Sequence, residues 1–274
     1  MVTLRLLHED DLDPADAVMT AAYGPGERKE RLRRYRALQP DGWFVACDGD
    51  RIVGLGGALC YGELAYLGLM SVLPEAQRRG IGQALVERIL AWLAGLRCPC
   101  VLLDASAAGA PLYRRLGFVE DEPTHVYARA ASTAPNHAER LPPWSPAEVT
   151  PFDTEAFGAP RGPLLDSYGR DFQGLVCRAP GGQVEGYAVV QASVLGPLVA
   201  RSPAAAERLL DAANGLRRGF PTTLLIPGSN APALALAAAR GFAWNRTLSH
   251  MRLGGSGPPG RRAWLYGRGS FVVG

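Results

Sequence analysis

Leu69-Met70-Ser71-Val72-Leu73-Pro74-Glu75-Ala76-Gln77-Arg78-Arg79-Gly80-Ile81-Gly82 is the stretch of sequence on which the fold turns. The apolar run over residues 64–73 reads as a buried strand, and Pro74, which has no amide hydrogen for a ladder, stops it. Ile81, Leu85, Ile89 and Leu93 then recur every four residues, with Glu87 and Arg88 on the other face, which predicts an amphipathic helix. Between strand and helix, Gly80 and Gly82 let the backbone turn tightly, so that several amide hydrogens converge on one anion at the positive end of the helix. Arg78 and Arg79 add cationic donors suited to a pyrophosphate. The spacing fits neither G-x-x-x-x-G-K nor G-x-G-x-x-G, which argues against a nucleoside triphosphatase or a dinucleotide enzyme. Two glycines ahead of a helix also serve turn geometry alone, and on the glycines by themselves that reading stands beside the anion cradle.

Working outward, residues 42–47 and 51–58 flank Asp48-Gly49-Asp50 and read as a hairpin. Residues 101–103 form a short buried strand, and residues 110–116 a short helix closed by Gly117. The order predicts a mixed sheet covered by helices. The second half repeats it. Residues 174–178 and 186–192 form a hairpin around Pro180-Gly181-Gly182, followed by an apolar strand over 194–200, a helix with Ala206, Leu209, Leu210 and Ala213 inward, and a strand over 222–226. Ala239-Arg240-Gly241-Phe242 echoes Arg115-Leu116-Gly117-Phe118, and Glu207-Arg208-Leu209-Leu210 echoes Glu87-Arg88-Ile89-Leu90 in the same order, which points to an internal duplication. Residues 131–151 hold Pro135, Pro142, Pro143, Pro146 and Pro151 without apolar periodicity and read as a linker. The expected organisation is therefore α/β (α+β): a first domain over 1–130, a linker over 131–151 and a second domain over 152–274.

The 274 residues carry a net charge of +3, are 47% hydrophobic and have mean hydropathy −0.01, which suits a globular chain with two cores and excludes whole-chain disorder. No run of about 18 apolar residues occurs, and the acidic start lacks the pattern of a signal peptide, so the expected location is the cytoplasm, with no membrane partner. The five cysteines read as reduced, packed thiols, because Cys98 and Cys100 lack the second ligand pair of a zinc site. The basic cluster over residues 27–36 mixes acids and bases at helical spacing, which predicts an exposed, ion-paired helix; with no interleaved aromatics, no nucleic-acid partner is expected.

Val72-x-Pro74-x-x-Gln77-x-x-Gly80-x-Gly82 resembles the acyl-CoA signature of the GNAT acetyltransferase superfamily, and Ser106-Ala107-Ala108-Gly109-Ala110-Pro111-Leu112-Tyr113-Arg114-Arg115-Leu116-Gly117-Phe118 is similar to its second signature. The resemblance covers residues 1 to about 129. It implies two GNAT-like domains, each a mixed, mostly antiparallel sheet flanked by helices. It implies acetyl-CoA as donor and no metal, with the backbone of Met70 and Val72 holding the pantetheine arm, and Gln77, Arg78, Arg79, Gly80, Ile81 and Gly82 holding the pyrophosphate. Ser106 stands where the family has Asn. Tyr113 would face the thioester as general acid, and Glu63, at the head of the strand before the loop, is the candidate base. Tyr113 also suits a core position beside Phe118, and Glu63 an exposed turn. His8 reads as a strand-end surface residue, and His125 as part of a late strand.

The second half departs from that signature, with Pro197, Ala200 and Ser202 at the positions of Gln77, Gly80 and Gly82, so its cradle is lost. Residues 265–273 resemble the closing strand of tandem members whose C-terminal domain has diverged. The function implied is N-acetyl transfer from acetyl-CoA to the primary amine of a small molecule or protein, by direct attack, in the first domain. The alternative is a non-catalytic acyl-CoA-binding sensor or scaffold. Assembly into a homodimer is left open.

Overall fold

Residue contacts divide the chain into two units, one of residues 1–103 and the other holding nearly all of 104–274. The computed structural model describes residues 2–26, 28–131, 138–217 and 219–274; Glu27 of the charged cluster and residues 132–137 of the expected linker lie outside the described residues.

In the first unit, β1 (Val2–Leu6), α1 (Leu12–Tyr23), α2 (Arg28–Leu38), β2 (Trp43–Asp48), β3 (Arg51–Cys60), β4 (Ala65–Val72), α3 (Ile81–Gly95) and β5 (Cys100–Ala105) follow in order, and the last two residues of β5 begin the second unit. β1 to β4 form an antiparallel meander, and β4 pairs in parallel with β5. A parallel neighbour demands a crossover, and α3 supplies it. Residues 52–59 of β3 are buried without alternation, as in a strand covered on both faces, and both α1 and α3 pack on it. The expected stripe of α3 is the buried one: Ile81, Leu85, Ile89 and Leu93, joined by Val86. α2 buries only Leu32 and Tyr35; its charges pair on the surface, Arg33 with Glu30 and Glu9, and Arg36 with Glu9 at 2.8 Å.

The second unit contains α4 (Ala110–Arg115), β6 (Val119–Arg129), α5 (Pro146–Phe157), α6 (Gly162–Asp171), β7 (Gln173–Arg178), β8 (Val184–Val190), β9 (Leu195–Ala200), α7 (Pro203–Leu216), β10 (Thr222–Pro227), α8 (Ala231–Ala239), β11 (Ala243–Gly254) and β12 (Leu265–Gly267). β7, β8, β9 and β12 make an antiparallel sheet. Its core sets Leu175, Ala188 and Leu198 against Ala206, Leu209, Leu210 and Ala213 of α7. β6 lies between β10 and β11, antiparallel to both. The sequence repeat and the compact units therefore do not coincide: β6 follows the first repeat's second signature, yet both its ladder neighbours come from residues 222–254.

Two expectations are corrected. Residues 146–151 are not linker but the start of α5, with Pro151 inside the helix. Pro146 is tolerated in the first turn, and the buried Val149, Phe152, Ala156 and Phe157 hold the helix despite the amide that Pro151 cannot donate. The closing strand over 265–273 is short: only Leu265–Gly267 pairs, and the chain then turns. All five cysteines are free thiols. Among the described residues no helix is long and apolar enough to cross a membrane, and no cluster of three or more His, Cys, Asp or Glu is arranged to hold a metal.

Candidate functional site

The signature stretch forms the strand, loop and helix that its pattern predicts. Near its end β4 bulges: Leu55 faces Ser71 and Gly57 faces Gly68, so Leu69 and Met70 stand opposite Gly56 alone. Leu69 takes a left-handed φ of 54° to make room for the extra residue. The Met70 side chain lies over Gly56, where a Cβ would come 2.1 Å from Met70 Sδ and displace it. Leu73 N donates to Val53 O at 2.9 Å and Ser71 faces Leu55, so strand alternation turns the N–H and C=O of Val72, and the C=O of Met70, to the other edge of β4. Of β4, only Ala65 and Tyr66 pair with β5, and from Leu67 onward that edge has no strand partner among the described residues. Its carbonyls are met by side chains: the Tyr23 hydroxyl donates to Met70 O, and Gln77 Nε2 donates to Val72 O at 3.2 Å.

After a 3-10 turn over Pro74–Ala76, residues 77–80 are exposed. Arg78 (φ 62°) and Gly80 (φ 79°) are left-handed and swing the chain into α3, where Gly80 is the N-cap. The first helical bond runs from Ala84 N to Gly80 O at 3.0 Å, so the amides of Ile81, Gly82 and Gln83 lie ahead of the i−4 ladder of the helix. Arg79 is paired with Asp48 at 2.9 Å but remains half exposed, and Arg51 bonds Glu75 at 2.8 Å on the same surface. The loop thus presents amides and guanidinium groups to solvent beside the unpaired edge of β4, an arrangement suited to a phosphate group carrying an extended arm. Glu63 is exposed in the bend before β4, at the opposite end of the strand from the cradle.

In the second unit, Tyr113 is 7% exposed on α4, and its ring meets Phe118 edge-on, with centroids 5.6 Å apart. Ser106 is exposed, and its Oγ accepts from Gly109 N at 3.2 Å, supporting the turn into α4. His8 is exposed at the end of β1, and His125 Nδ1 lies 2.9 Å from Thr247 Oγ1 across the β6–β11 ladder.

The second repeat's counterpart of the β4 edge is covered. β12 pairs with β9, Leu265 opposite Val199 and Gly267 opposite Leu198, and Arg268 N donates to Leu225 O of β10 at 2.8 Å. Approach is so close that a Cβ on Gly196 would lie 2.2 Å from Arg268 O. The N-cap of α7 is Ser202, which bonds Ala205 N with its own side chain, so one of the amides an anion would use is already taken. The fold of the repeat is kept while the place for an extended ligand is filled by the chain's own C-terminal segment.

A buried charge network in the second unit is not among the sequence expectations. Asp104, His250 and Thr124 meet in its interior, and Glu122 accepts bonds from the backbone and hydroxyl of Ser229, from Arg262, and from Arg268 at 3.0 Å. Asp121 receives Arg252 and Arg262. Burial favours protonation of Glu122, but the Ser229 donors and the two arginines outweigh it and hold its carboxyl below the usual range. The readable trace was three consecutive acids, Glu120-Asp121-Glu122, inside a strand.

Two profiles, each describing an acetyltransferase (GNAT) domain, match the chain in tandem, over residues 39–120 and 149–267. A Pyrococcus horikoshii protein provisionally named an acetyltransferase is 30% identical, with 100% of this chain and 96% of that one covered and a TM-score of 0.89. A GCN5-related N-acetyltransferase from Sphaerobacter thermophilus shares the fold at 15% identity (92% and 95% covered, TM-score 0.69), as does Eis1 from Mycobacterium abscessus at 20% (93% and 74%, TM-score 0.55). A search of curated proteins returns no match. With both halves matching the same kind of domain and a full-length relative of the same architecture, the chain belongs to the GNAT acetyltransferase family as a tandem member.

Proposed function

We propose that the chain is an N-acetyltransferase that moves an acetyl group from acetyl-CoA to the primary amine of a small molecule or a protein, with the donor held in the first repeat. The observation that carries this reading is the contrast between the repeats. The first has a strand edge at Met70 and Val72 running into exposed amides and arginines at residues 77–82; the second has that edge filled by β12. In the proposed reaction the amine nitrogen attacks the thioester carbonyl, the carbon–sulfur bond breaks as the intermediate collapses, and the nitrogen gives up a proton. Tyr113 supplies the proton that the CoA thiolate takes, and Glu63 accepts the amine's proton through water. Ser106 stands in place of the family's Asn. The free thiols are consistent with a cytoplasmic location.

The burial of Tyr113 against Phe118 equally suits a packing tyrosine, which favours a second reading: a module that binds acyl-CoA without turning it over. Incubating the purified chain with acetyl-CoA and an amine panel, and following free thiol and acetylated product by mass spectrometry, separates the two. Thiol release matched by acetylated amine supports the transferase. Saturable binding with no product leaves the sensor or scaffold.

A further inference from the structure

The Tyr23 hydroxyl does not belong to the signature that marks the donor site, yet it sits on the donor's proposed track. Tyr23 is the last residue of α1, exposed at 49% of its surface, and its phenol donates to Met70 O. The carbonyl of Met70 faces the edge of β4 that β5 leaves unpaired, so the phenol oxygen occupies that edge too. The residue is presented by a fixed support: Gly24 N closes α1 on Thr20 O at 2.9 Å, Arg28 reaches back to the carbonyls of Tyr23 and Gly24, and the Arg28 guanidinium lies 5.4 Å from the Tyr23 ring centroid.

We infer that Tyr23 is a placeholder for the donor's arm: its hydroxyl satisfies Met70 O in the free protein and must be displaced when an amide of the pantetheine arm takes that carbonyl. The inference rests on the donor site proposed above. An exposed strand edge with a satisfied carbonyl loses less on standing empty, and the same bond opposes the ligand by the net worth of one hydrogen bond. The displacement needs only side-chain rotation, since the backbone of Tyr23 is held independently by the end of α1 and by Arg28. Tyr23 is thus a specificity-determining residue for the arm and has no bearing on the nucleotide end of the donor, which lies in the cradle at residues 77–82.

The test compares CoA with 3′-phospho-ADP, which carries the same phosphates but no arm, by calorimetry on the full chain and on Tyr23→Phe. The phenylalanine keeps the ring over which Arg28 lies and deletes the hydroxyl, which bonds Met70 O and also meets the Ser71 side chain. CoA is expected to bind Tyr23→Phe about two- to tenfold more tightly than the wild type, while 3′-phospho-ADP binds both alike. The KM for acetyl-CoA should fall in parallel. Equal CoA affinities overturn the inference, as does weaker CoA binding, which would make the phenol a ligand of the donor. A change of the same size for 3′-phospho-ADP overturns it as well, because the effect would not depend on the arm. If the wild type binds neither compound, the donor site itself is wrong; if it binds both and Tyr23→Phe fails as described, only the placeholder falls.

Discussion

The carboxylate of Asp104 and the ring of His250 meet at 3.1 Å, Oδ1 to Nδ1, with both side chains fully shielded from solvent. Burial by itself would raise the Asp104 carboxyl, but the His250 ring, the Arg268 charge and the Thr124 hydroxyl outweigh it and hold the group well below the usual carboxylate range. Burial, and then the charge of Arg268, push His250 below the ordinary imidazole value, although Asp104 pulls the other way, so the ring is neutral at pH 7. A base with a lowered folded pKa binds fewer protons than its unfolded counterpart, and stability falls as pH drops below about 6.5. The depressed carboxyls of Asp104 and Glu122 extend the loss below about pH 4. Thermal melts between pH 7 and pH 5 should therefore show a falling Tm, and His250→Asn should flatten that part of the curve. A slope identical in both proteins would mean that His250 does not titrate as its burial requires.

One CoA is expected per chain. The Cβ of a residue at position 80 would meet nothing within 4 Å, so Gly80→Asp fits the free protein and is charged only the strain of φ 79°, about 1 kcal/mol. Its carboxylate would nevertheless face the pyrophosphate, and like-charge repulsion at this exposed loop should weaken CoA roughly tenfold or more at low salt. Calorimetry reads both quantities. A stoichiometry of two, or an unaltered affinity in the variant, contradicts the assignment.

Tyr113→Phe keeps the edge-on contact with Phe118 and removes the proposed acid. Loss of a general acid lowers kcat by roughly 10²- to 10⁴-fold at neutral pH, with CoA affinity little changed. The deficit should narrow above about pH 8.5, where a free thiol is ionised and its thiolate leaves without help. Wild-type turnover across the pH range in a folded variant would assign Tyr113 to packing.

A fragment ending at Ala131 should fail to fold independently. It retains β6 but loses both β10 and β11, so a long strand that alternates buried and half-exposed residues is left with two open edges. Expression of this fragment should give aggregate or a species with weak amide protection. A soluble, monomeric and fully active fragment would refute the dependence.

Local pattern carried the sequence reading as far as local pattern goes. The strand, proline stop, glycine loop and helix around Gly80 depend on neighbours within twenty residues, and Ile81, Leu85, Ile89 and Leu93 point inward as their spacing requires. The duplication was legible for the same reason, as short echoes in order. The start of α5 was hidden because Pro146 and Pro151 masked an apolar stripe at Val149, Phe152 and Ala156. The partners of β6 and the cover on β9 leave no local trace, because the pairing of Thr124 with Leu248, or of Val199 with Leu265, is decided by distant chain. In the candidate site the sequence marked the backbone positions but not Tyr23, whose role depends on where the end of α1 comes to rest.

The placing of β6 also sets a timetable for synthesis. Val126 finds Leu225 and Arg246 across its two ladders, and both are made long after it. At translation rates of about 5–20 residues per second, the ribosome needs roughly ten seconds to deliver them. Once it leaves the exit tunnel, the first repeat's second signature spends the rest of that interval without the sheet that supports it. The nascent chain therefore passes through a stage in which the β6 edges are open to other chains, and slowing elongation between residues 130 and 254 lengthens that stage, whereas a chaperone that shields extended apolar strands shortens its consequences.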